Sequence, residues 1–317
     1  MRGVFLDWAT VSTGDITPDA LNAALDELDL HPTSTPEEVL ERVAKAEVIL
    51  TNKIRIDAEV IAAAQDLTLI CLAATGYNNV DLDAARTRGV AVCNIRDYCT
   101  DAVAQHVFAL ILALNQHLDG YRQLLRDSAW QGSPQFCLLG FPIHDLAGRT
   151  LVIVGHGTLG RRVAELGEAF GMRVEIAARP GTRPSAERRA LDELLPTADV
   201  VSLHCPLTEA TQDLIDAHAL ARMKPDALLI NTARGAIVDA AALADALRAG
   251  RIGGAGIDVL TQEPPVDGDP LLQPDIPNLI LTPHVAWASV EARHRTVGEM
   301  AANVSAFRAG RLRNRVV

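Results

Sequence analysis

The stretch Leu151-Val-Ile-Val-Gly155-His-Gly157-Thr-Leu-Gly160 decides how this chain folds. A short apolar run leads into the pattern G-x-G-x-x-G, and the segment Arg161–Phe170, with helical spacing, follows it. In this order the first glycine permits a tight turn, the second leaves room for a pyrophosphate, and the third lets the helix pack against the sheet. The pattern predicts a dinucleotide-binding loop, with a plain glycine-rich turn as the alternative; its members are Gly155, His156, Gly157, Thr158, Leu159 and Gly160.

Short apolar runs alternate with helical patterns on both sides of this loop. Before residue 100, strands are predicted at Val4–Asp7, Val48–Thr51, Leu67–Leu72 and Val90–Cys93, and helices at Pro18–Leu28, Pro36–Ala44, Ala58–Ala64 and Leu82–Arg88. After residue 150, further strands are predicted at Arg173–Ala177, Val200–His204, Leu228–Asn231, Gly254–Val259 and Leu279–Leu281, and helices at Ala186–Leu194, Asp216–Met223 and Ala240–Ala249. A long helix, Asp101–Leu125, and a polar loop, Ser128–Asp145, separate the two series. The predicted fold class is α/β, with two Rossmann-like open parallel-sheet domains.

Composition narrows the range of partners. The net charge of −11 argues against nucleic acid and anionic membranes, because both require a basic face. The five cysteines are an odd number without a C-x-x-C pair, which favours buried thiols in a reducing compartment and no metal site. Neither a signal peptide nor an apolar run long enough for a membrane helix is present, so we expect a cytoplasmic protein.

The end of the second strand after the glycine loop bears on the choice of dinucleotide. An acidic residue there would bind the 2′-hydroxyl of NAD, but the position falls on Ala178, and Glu175 comes too early. Arg179 and Arg183 follow at once, and guanidinium groups match the geometry of a phosphate. The sequence therefore favours NADP(H), with NAD(H) as the alternative if both arginines face solvent.

Three further stretches carry a resemblance to the D-isomer-specific 2-hydroxyacid dehydrogenase family. They are Asn231-Thr-Ala-Arg-Gly-Ala-Ile-Val-Asp239, Gly256-Ile-Asp-Val-Leu-Thr-Gln-Glu-Pro-Pro265 and Leu281-Thr-Pro-His-Val-Ala-Trp-Ala-Ser289. Together with the glycine loop they stand in the family's order and spacing. The stretch Ala74-Thr-Gly-Tyr-Asn-Asn-Val-Asp81 resembles the family's substrate-carboxylate loop, so the likeness extends over essentially the whole chain.

The resemblance implies roles for individual residues. Taken alone, each could instead be an ordinary structural residue, such as a solvated arginine or a surface histidine. His284 is expected to be the general acid, Glu263 its partner, and Arg234 the group that holds the substrate carboxylate and polarises the carbonyl. Backbone N–H groups of Thr75 and Gly76 are expected to bind the other carboxylate oxygen. Asp258 is expected either to contact the nicotinamide or to support the site. Further cofactor contacts are expected from Cys205, Pro206, Thr232, Ala233 and His284, and the remaining histidines, His106 and His204 included, are interpreted as structural.

Within the family, the stretches Thr51–Lys53, Cys93–Thr100, Ser133–Leu139 and Pro283–Ser289 are most similar to the glycerate dehydrogenase branch. That branch interconverts hydroxypyruvate or glyoxylate with D-glycerate or glycolate. The likeness implies a discontinuous substrate domain, residues 1–98 and 287–317, around a dinucleotide-binding domain, residues 99–286. It also implies a homodimer through the latter domain, with the Asp101 helix and the Ser128–Asp145 loop as candidate interface.

Three alternatives share parts of this pattern. A dinucleotide-sensing binding protein of the corepressor type, as in the C-terminal binding protein, has the same fold and similar residues, but the chain shows no disordered extension or basic patch. Phosphoglycerate dehydrogenases usually carry an added C-terminal domain, which we do not expect after Val317. Formate dehydrogenases have a longer N-terminal segment and different residues about the site. We therefore expect an enzyme that acts on a small 2-oxo or 2-hydroxy acid.

Overall fold

The computed structural model describes all residues, 1–317, and the chain divides into two compact units. The first unit contains Met1–Cys99 and Ala288–Val317, and the second contains Thr100–Trp287. No helix in either unit combines the length and the apolar character that a membrane-spanning segment requires.

The first unit is a five-stranded sheet with helices on it. Its strands are β1 (Arg2–Phe5), β2 (Glu27–Leu30), β3 (Val48–Thr51), β4 (Leu69–Leu72) and β5 (Ala91–Cys93). Its helices are α1 (Asp19–Ala24), α2 (Pro36–Val43), α3 (Ala58–Ala63), α4 (Leu82–Arg88) and α11 (Val290–Arg308). All pairs are parallel, in the order β2-β1-β3-β4-β5. Because β3 and β4 are buried on both faces, they read as continuous apolar runs.

The second unit is a six-stranded parallel sheet in the order β11-β10-β9-β8-β6-β7. Its strands are β6 (Thr150–Val154), β7 (Arg173–Ile176), β8 (Val200–Leu203), β9 (Leu228–Asn231), β10 (Gly254–Ile257) and β11 (Leu279–Leu281). Its helices are α5 (Thr100–Asn115), α6 (Leu118–Arg126), α7 (Thr158–Ala169), α8 (Leu191–Leu194), α9 (Ala217–Arg222) and α10 (Ala240–Arg248). These two parallel sheets confirm the predicted fold class.

The connection of the strands creates a crevice in the second unit. From β6 the chain crosses to β7 on one side, and the strand on the other side of β6 is β8. Loops after β6 and β8 therefore leave the sheet in opposite directions, and ligands of open α/β sheets bind outside the carboxyl ends of the strands at such a point.

Three predicted elements were wrong in detail. The segment predicted as one helix, Pro18–Leu28, ends at Ala24 and turns into the edge strand β2. The long helix predicted over Asp101–Leu125 breaks into α5 and α6, because His117 takes a left-handed conformation (φ 47°) and stacks on Phe141 at 5.2 Å. The helix predicted at Ala186–Leu194 is only the single turn α8. Residues 186 and 187 instead form a tight turn between the paired Ser185 and Arg188, and Arg189 pairs with Ala177 beside the end of β7.

Candidate active site

A cavity of about 520 Å³ opens at the crevice between β6 and β8. Of the predicted cofactor residues, it is lined by Gly155, His156, Gly157, Arg179, Cys205 and Pro206. They follow β6, β7 and β8, so the cavity is built from the carboxyl ends of three neighbouring strands. No aspartate or glutamate lines it, so no carboxylate opposes an anionic group there.

The glycine loop shows close packing where the sequence predicts it and open space where a ligand is expected. A Cβ atom on Gly155 (φ 99°) would lie 2.5 Å from the amide nitrogen of Cys205, and one on Gly160 would lie 2.0 Å from the carbonyl oxygen of Gly155. A Cβ atom on Gly157 would meet nothing within 4 Å. The loop is therefore a cradle with a clear surface at Gly157 and the start of α7, which fits a pyrophosphate.

The segment after β7 brings one predicted arginine and one unpredicted arginine to the cavity. Arg189 returns to the edge of β7, where its carbonyl accepts the N–H of Ala178 at 2.7 Å. Ser185 and Arg188 pair in an antiparallel bridge within this segment. As a result Arg188 lines the cavity beside Arg179, whereas Arg183 does not line it. Neither the Arg179 nor the Arg188 guanidinium makes an ion pair or hydrogen bond within the chain.

Two histidines at the cavity are held in the neutral form. Burial lowers the pKa of His204 to about 4, and Ser202 Oγ lies 2.9 Å from its Nε2. Burial also lowers the pKa of His156, and the charges of Arg188 and Arg161 lower it further. The positive charge of the cavity therefore comes from its arginines.

The end of β9 presents a hydroxyl without a partner. Thr232 Oγ1 is buried and makes no hydrogen bond, which is costly for a hydroxyl unless a ligand satisfies it. Thr232 and Ala233 belong to the predicted cofactor contacts, and they do not line the cavity at the β6–β8 crevice. The orphaned hydroxyl fits a polar group of a bound dinucleotide that extends along the sheet edge.

The predicted acid and its partner are in direct contact. His284 Nδ1 lies 2.6 Å from Glu263 Oε2, and Glu263 Oε1 accepts the N–H of Leu260 at 2.9 Å. Because a carboxylate only accepts hydrogen bonds here, Nδ1 carries a proton and Nε2 remains for exchange with a substrate. Both side chains are about one-third exposed, so a substrate has access to them.

The loop with Arg234 follows β9 and is fixed by a buried side chain that sequence analysis missed. Asn231 donates from Nδ2 to the Arg234 carbonyl at 2.9 Å and accepts the N–H of Ala233 at 3.0 Å. A Cβ atom on Gly235 would lie 2.0 Å from the Leu260 carbonyl carbon, so this loop touches the loop that carries Glu263. The exposed guanidinium of Arg234 donates to the Ala233 carbonyl and has no carboxylate partner, which leaves it able to bind an anion.

Asp258 directly follows β10 and contacts the backbone around His284. It is 1% exposed, and its carboxylate accepts the N–H groups of Val285 and Ala286, each at 2.9 Å. Thr282 donates its hydroxyl to the same carboxylate at 2.6 Å. Of its two predicted roles, these contacts favour support of the site.

Thr75 and Gly76 belong to the first unit, in the loop after β4. The Thr75 hydroxyl donates to the Ile95 carbonyl at 2.9 Å, which fixes the loop. The N–H groups of Thr75 and Gly76 make no hydrogen bond within the chain. Two adjacent N–H groups without partners are suited to a carboxylate oxygen.

Reduction of a carbonyl by a dinucleotide needs a nucleotide cradle, a proton donor and a fixed cation close to the reacting carbon. The second unit offers all three at the carboxyl ends of one sheet. The fold and the site therefore define an oxidoreductase that depends on a nicotinamide dinucleotide.

Comparison with known proteins identifies the family within this class. The profile described as "D-isomer specific 2-hydroxyacid dehydrogenase, NAD binding domain" matches residues 108–286. The chain belongs to this family.

Its relatives are similar over nearly the whole chain. A glycerate dehydrogenase of Methylorubrum extorquens is 44% identical over 98% of this chain and 97% of its own. A hydroxypyruvate reductase of Blautia hydrogenotrophica is 33% identical over 98% of each chain. The crystal structure of the TT0316 protein of Thermus thermophilus has a TM-score of 0.87, 37% identity and full coverage of both chains. These comparisons confirm the 2-hydroxyacid dehydrogenase prediction and give no support to the corepressor alternative.

Proposed function

We propose that this enzyme reduces hydroxypyruvate or glyoxylate to D-glycerate or glycolate, with NADPH as the preferred reductant. The observation that carries the proposal is the 2.6 Å contact between His284 Nδ1 and Glu263 Oε2. The loop of Glu263 also touches the loop of Arg234, at Leu260 and Gly235. The names of the glycerate dehydrogenase and hydroxypyruvate reductase relatives support the choice of substrate.

Different groups of the chain bind the substrate and transfer the proton. Arg234 binds the substrate carboxylate with its planar guanidinium and draws electron density from the neighbouring carbonyl. We propose that the unpartnered N–H groups of Thr75 and Gly76 also bind a carboxylate oxygen. When bound, the dinucleotide supplies the hydride for the carbonyl carbon. His284 gives the proton on Nε2 to the carbonyl oxygen, and Glu263 holds the ring in position through Nδ1.

We propose that residues 1–98 and 287–317 form the substrate domain and residues 99–286 the dinucleotide-binding domain. The glycine loop, Cys205, Pro206, Thr232 and Ala233 would hold the dinucleotide. Five free cysteines are consistent with work in the cytoplasm.

The preference for NADPH is inferred from the cavity beside β7. Ala178 provides no carboxylate to repel a 2′-phosphate, and Arg179 and Arg188 are both without partners there. We propose that these two arginines bind the phosphate, and that Arg183 contributes less, because it does not line the cavity.

Two measurements test the proposal. A panel of 2-oxo acids with NADPH and NADH should show highest kcat/KM for hydroxypyruvate or glyoxylate with NADPH. His284→Ala should lower that value by about 10²–10⁴-fold, the worth of one general acid. The effect on dinucleotide binding should be much smaller, because the glycine loop and the arginines of the cavity provide most of the contacts. Near-normal reduction by His284→Ala, or inertness of the wild type toward every 2-oxo acid, would contradict the proposed reaction.

Direct titration of the binding of each dinucleotide tests the cofactor preference without turnover. Arg179→Ala and Arg188→Ala should each weaken NADPH binding by about 10- to 100-fold, equivalent to losing a charge-assisted hydrogen bond, and leave NADH binding nearly unchanged. Arg173→Ala removes the same charge at the far end of β7 and serves as the matched control. Stronger binding of NADH than of NADPH by the wild type would overturn the preference.

A further inference from the structure

A line of polar side chains outside the proposed catalytic set connects α5 with the loop of His284. His106, on α5, has its Nε2 atom 3.0 Å from Thr282 Oγ1. Thr282 Oγ1 in turn donates to Asp258 Oδ1 at 2.6 Å. The line thus crosses from a helix on the face of the sheet to the carboxyl ends of β10 and β11.

Asp258 determines the conformation of the chain at His284. Its backbone carbonyl accepts the N–H of His284 at 2.8 Å, and its carboxylate binds the N–H groups of the next two residues. His284 itself has φ 54°, in the left-handed region that residues other than glycine rarely adopt. Such a conformation persists only where the surroundings impose it. The orientation of the carboxylate therefore decides where the imidazole of His284 lies.

The protons along the line have only one consistent arrangement. A threonine hydroxyl has a single hydrogen, and the Thr282 hydrogen is used toward Asp258, because a buried carboxylate oxygen at 2.6 Å accepts. At the other contact Thr282 Oγ1 is consequently the acceptor, and His106 donates from Nε2. His106 thereby fixes the rotation of the hydroxyl, and the hydroxyl fixes one oxygen of the carboxylate.

We propose that His106 and Thr282 are positioning residues for His284, acting through Asp258. The inference rests on the proposed role of His284 in proton transfer. It adds two residues that have no place in the proposed binding of substrate or dinucleotide, although Thr282 lines the same cavity as His284. Loss of either residue frees the carboxylate to rotate and loosens the loop behind the imidazole. A displacement of about 1 Å at a reacting group is enough to cost on the order of 10²-fold in rate.

Paired variants test the proposal by activity. His106→Leu and Thr282→Val remove the two hydrogen bonds, whereas His106→Gln and Thr282→Ser keep an N–H donor and a hydroxyl in place. The first pair should lower kcat with hydroxypyruvate by about 10- to 100-fold, raise the solvent isotope effect on kcat, and leave KM for the dinucleotide unchanged. The second pair should recover most of kcat. The slowing in the double variant His106→Leu/Thr282→Val should be smaller than the product of the two single effects, because both residues act on the same carboxylate: Thr282 by its hydrogen bond, and His106 through Thr282 and from 3.7 Å.

The proton resonance of the His284 Nδ1–H group provides a reading that needs no substrate. It is assigned by its disappearance in His284→Asn, and it should be lost or broadened in His106→Leu and Thr282→Val but kept in His106→Gln and Thr282→Ser. An unchanged resonance together with kcat within about twofold of wild type in the first pair would overturn the proposal. A second result would also overturn the proposal. In it, kcat falls only in proportion to the loss of Tm, the isotope effect stays unchanged, and His106→Gln does not recover kcat. A wild type that reduces no 2-oxo acid would contradict the proposed reaction, while the resonance would still decide the positioning role.

Discussion

Arg234, which we propose binds the substrate carboxylate, lies in a fixed loop and has an exposed guanidinium. Its loop is clamped by Asn231 and pressed against Leu260, yet its guanidinium has no carboxylate partner. We expect Arg234→Lys to lower kcat/KM for hydroxypyruvate by about 10²-fold, because an ammonium keeps the charge and loses the two-pronged contact. Dinucleotide affinity should stay unchanged. Equal weakening of substrate and dinucleotide binding would indicate a purely structural arginine.

His204 makes the stability of the free protein depend on pH. Its pKa is about 4 in the folded chain and about 6.5 in the unfolded chain. Above pH 6.5 the imidazole is neutral in both states, and its burial costs nothing electrostatic. As the pH falls from 6.5 toward 4, only the unfolded state takes up the proton, so stability is lost, by about 3 kcal/mol in total.

Urea unfolding between pH 4 and 8 measures this loss in the wild type and in His204→Gln. Glutamine retains a polar partner for Ser202 and does not titrate, and every other titrating group is common to both proteins. We expect the free energy of unfolding of the wild type to decline more steeply below pH 6.5 than that of the variant. Parallel curves would mean that His204 does not contribute.

The residues of the site divide by how far apart in sequence their contacts lie. The roles of His284, Glu263 and Arg234 were predicted from local motifs, and the structure places His284 in contact with Glu263. Arg188 was not predicted, because it reaches the cavity only through the return of Arg189 to the edge of β7, which local propensity does not encode. Asn231 left a weak signal, a polar residue at the end of an apolar strand.

Contacts between residues far apart in the sequence also account for the elements that were predicted wrongly. Strand β2 has the sequence Glu-Leu-Asp-Leu, whose residues suit a helix as well as an edge strand, and its pairing with β1 decides between them. The break before α6 depends on the contact of His117 with Phe141, which lies far along the chain. Buried strands such as β3 and β6 were predictable, because a parallel sheet covered on both faces demands continuous apolar runs.

Helix α11 is held to its sheet by a buried amide. Asn303 donates to the Asn94 carbonyl at 2.8 Å and is 1% exposed. Asn303→Leu leaves that carbonyl without a partner and should lower the free energy of unfolding by about 1–3 kcal/mol. Ser305→Ala, at an exposed position of the same helix, is the matched control and should change little. Urea unfolding of both variants measures the difference, and equal stability would rule out this anchor.

On the scale of the whole molecule, α6 and the following loop present an apolar surface. Its most exposed members are Phe136 (90%) and Leu139 (85%), with Leu118 and Trp130 also exposed. A large apolar patch on one side of a domain is typical of a protein–protein interface. We propose that this surface joins two copies of the chain.

Sedimentation velocity of the wild type should therefore give a homodimer. Phe136→Asp and Leu139→Asp should shift the population toward monomer at micromolar concentration, because each places a charge in the apolar contact. Val266→Asp, at an exposed apolar residue outside the patch, is the control. A wild type that sediments as a monomer would contradict the interface.

The segment from Ala178 to Arg189 leaves the outermost strand of its sheet and closes back on that strand. No further strand depends on it, and the loops of Arg234, Glu263 and His284 lie elsewhere along the sheet. On the proposed role of Arg179 and Arg188, an exchange of this short segment alone would change the preference of the enzyme between NADPH and NADH. The same segment could be replaced by design to match the enzyme to the coenzyme that a host cell supplies. The residues proposed for catalysis lie in loops after other strands and would stay unchanged.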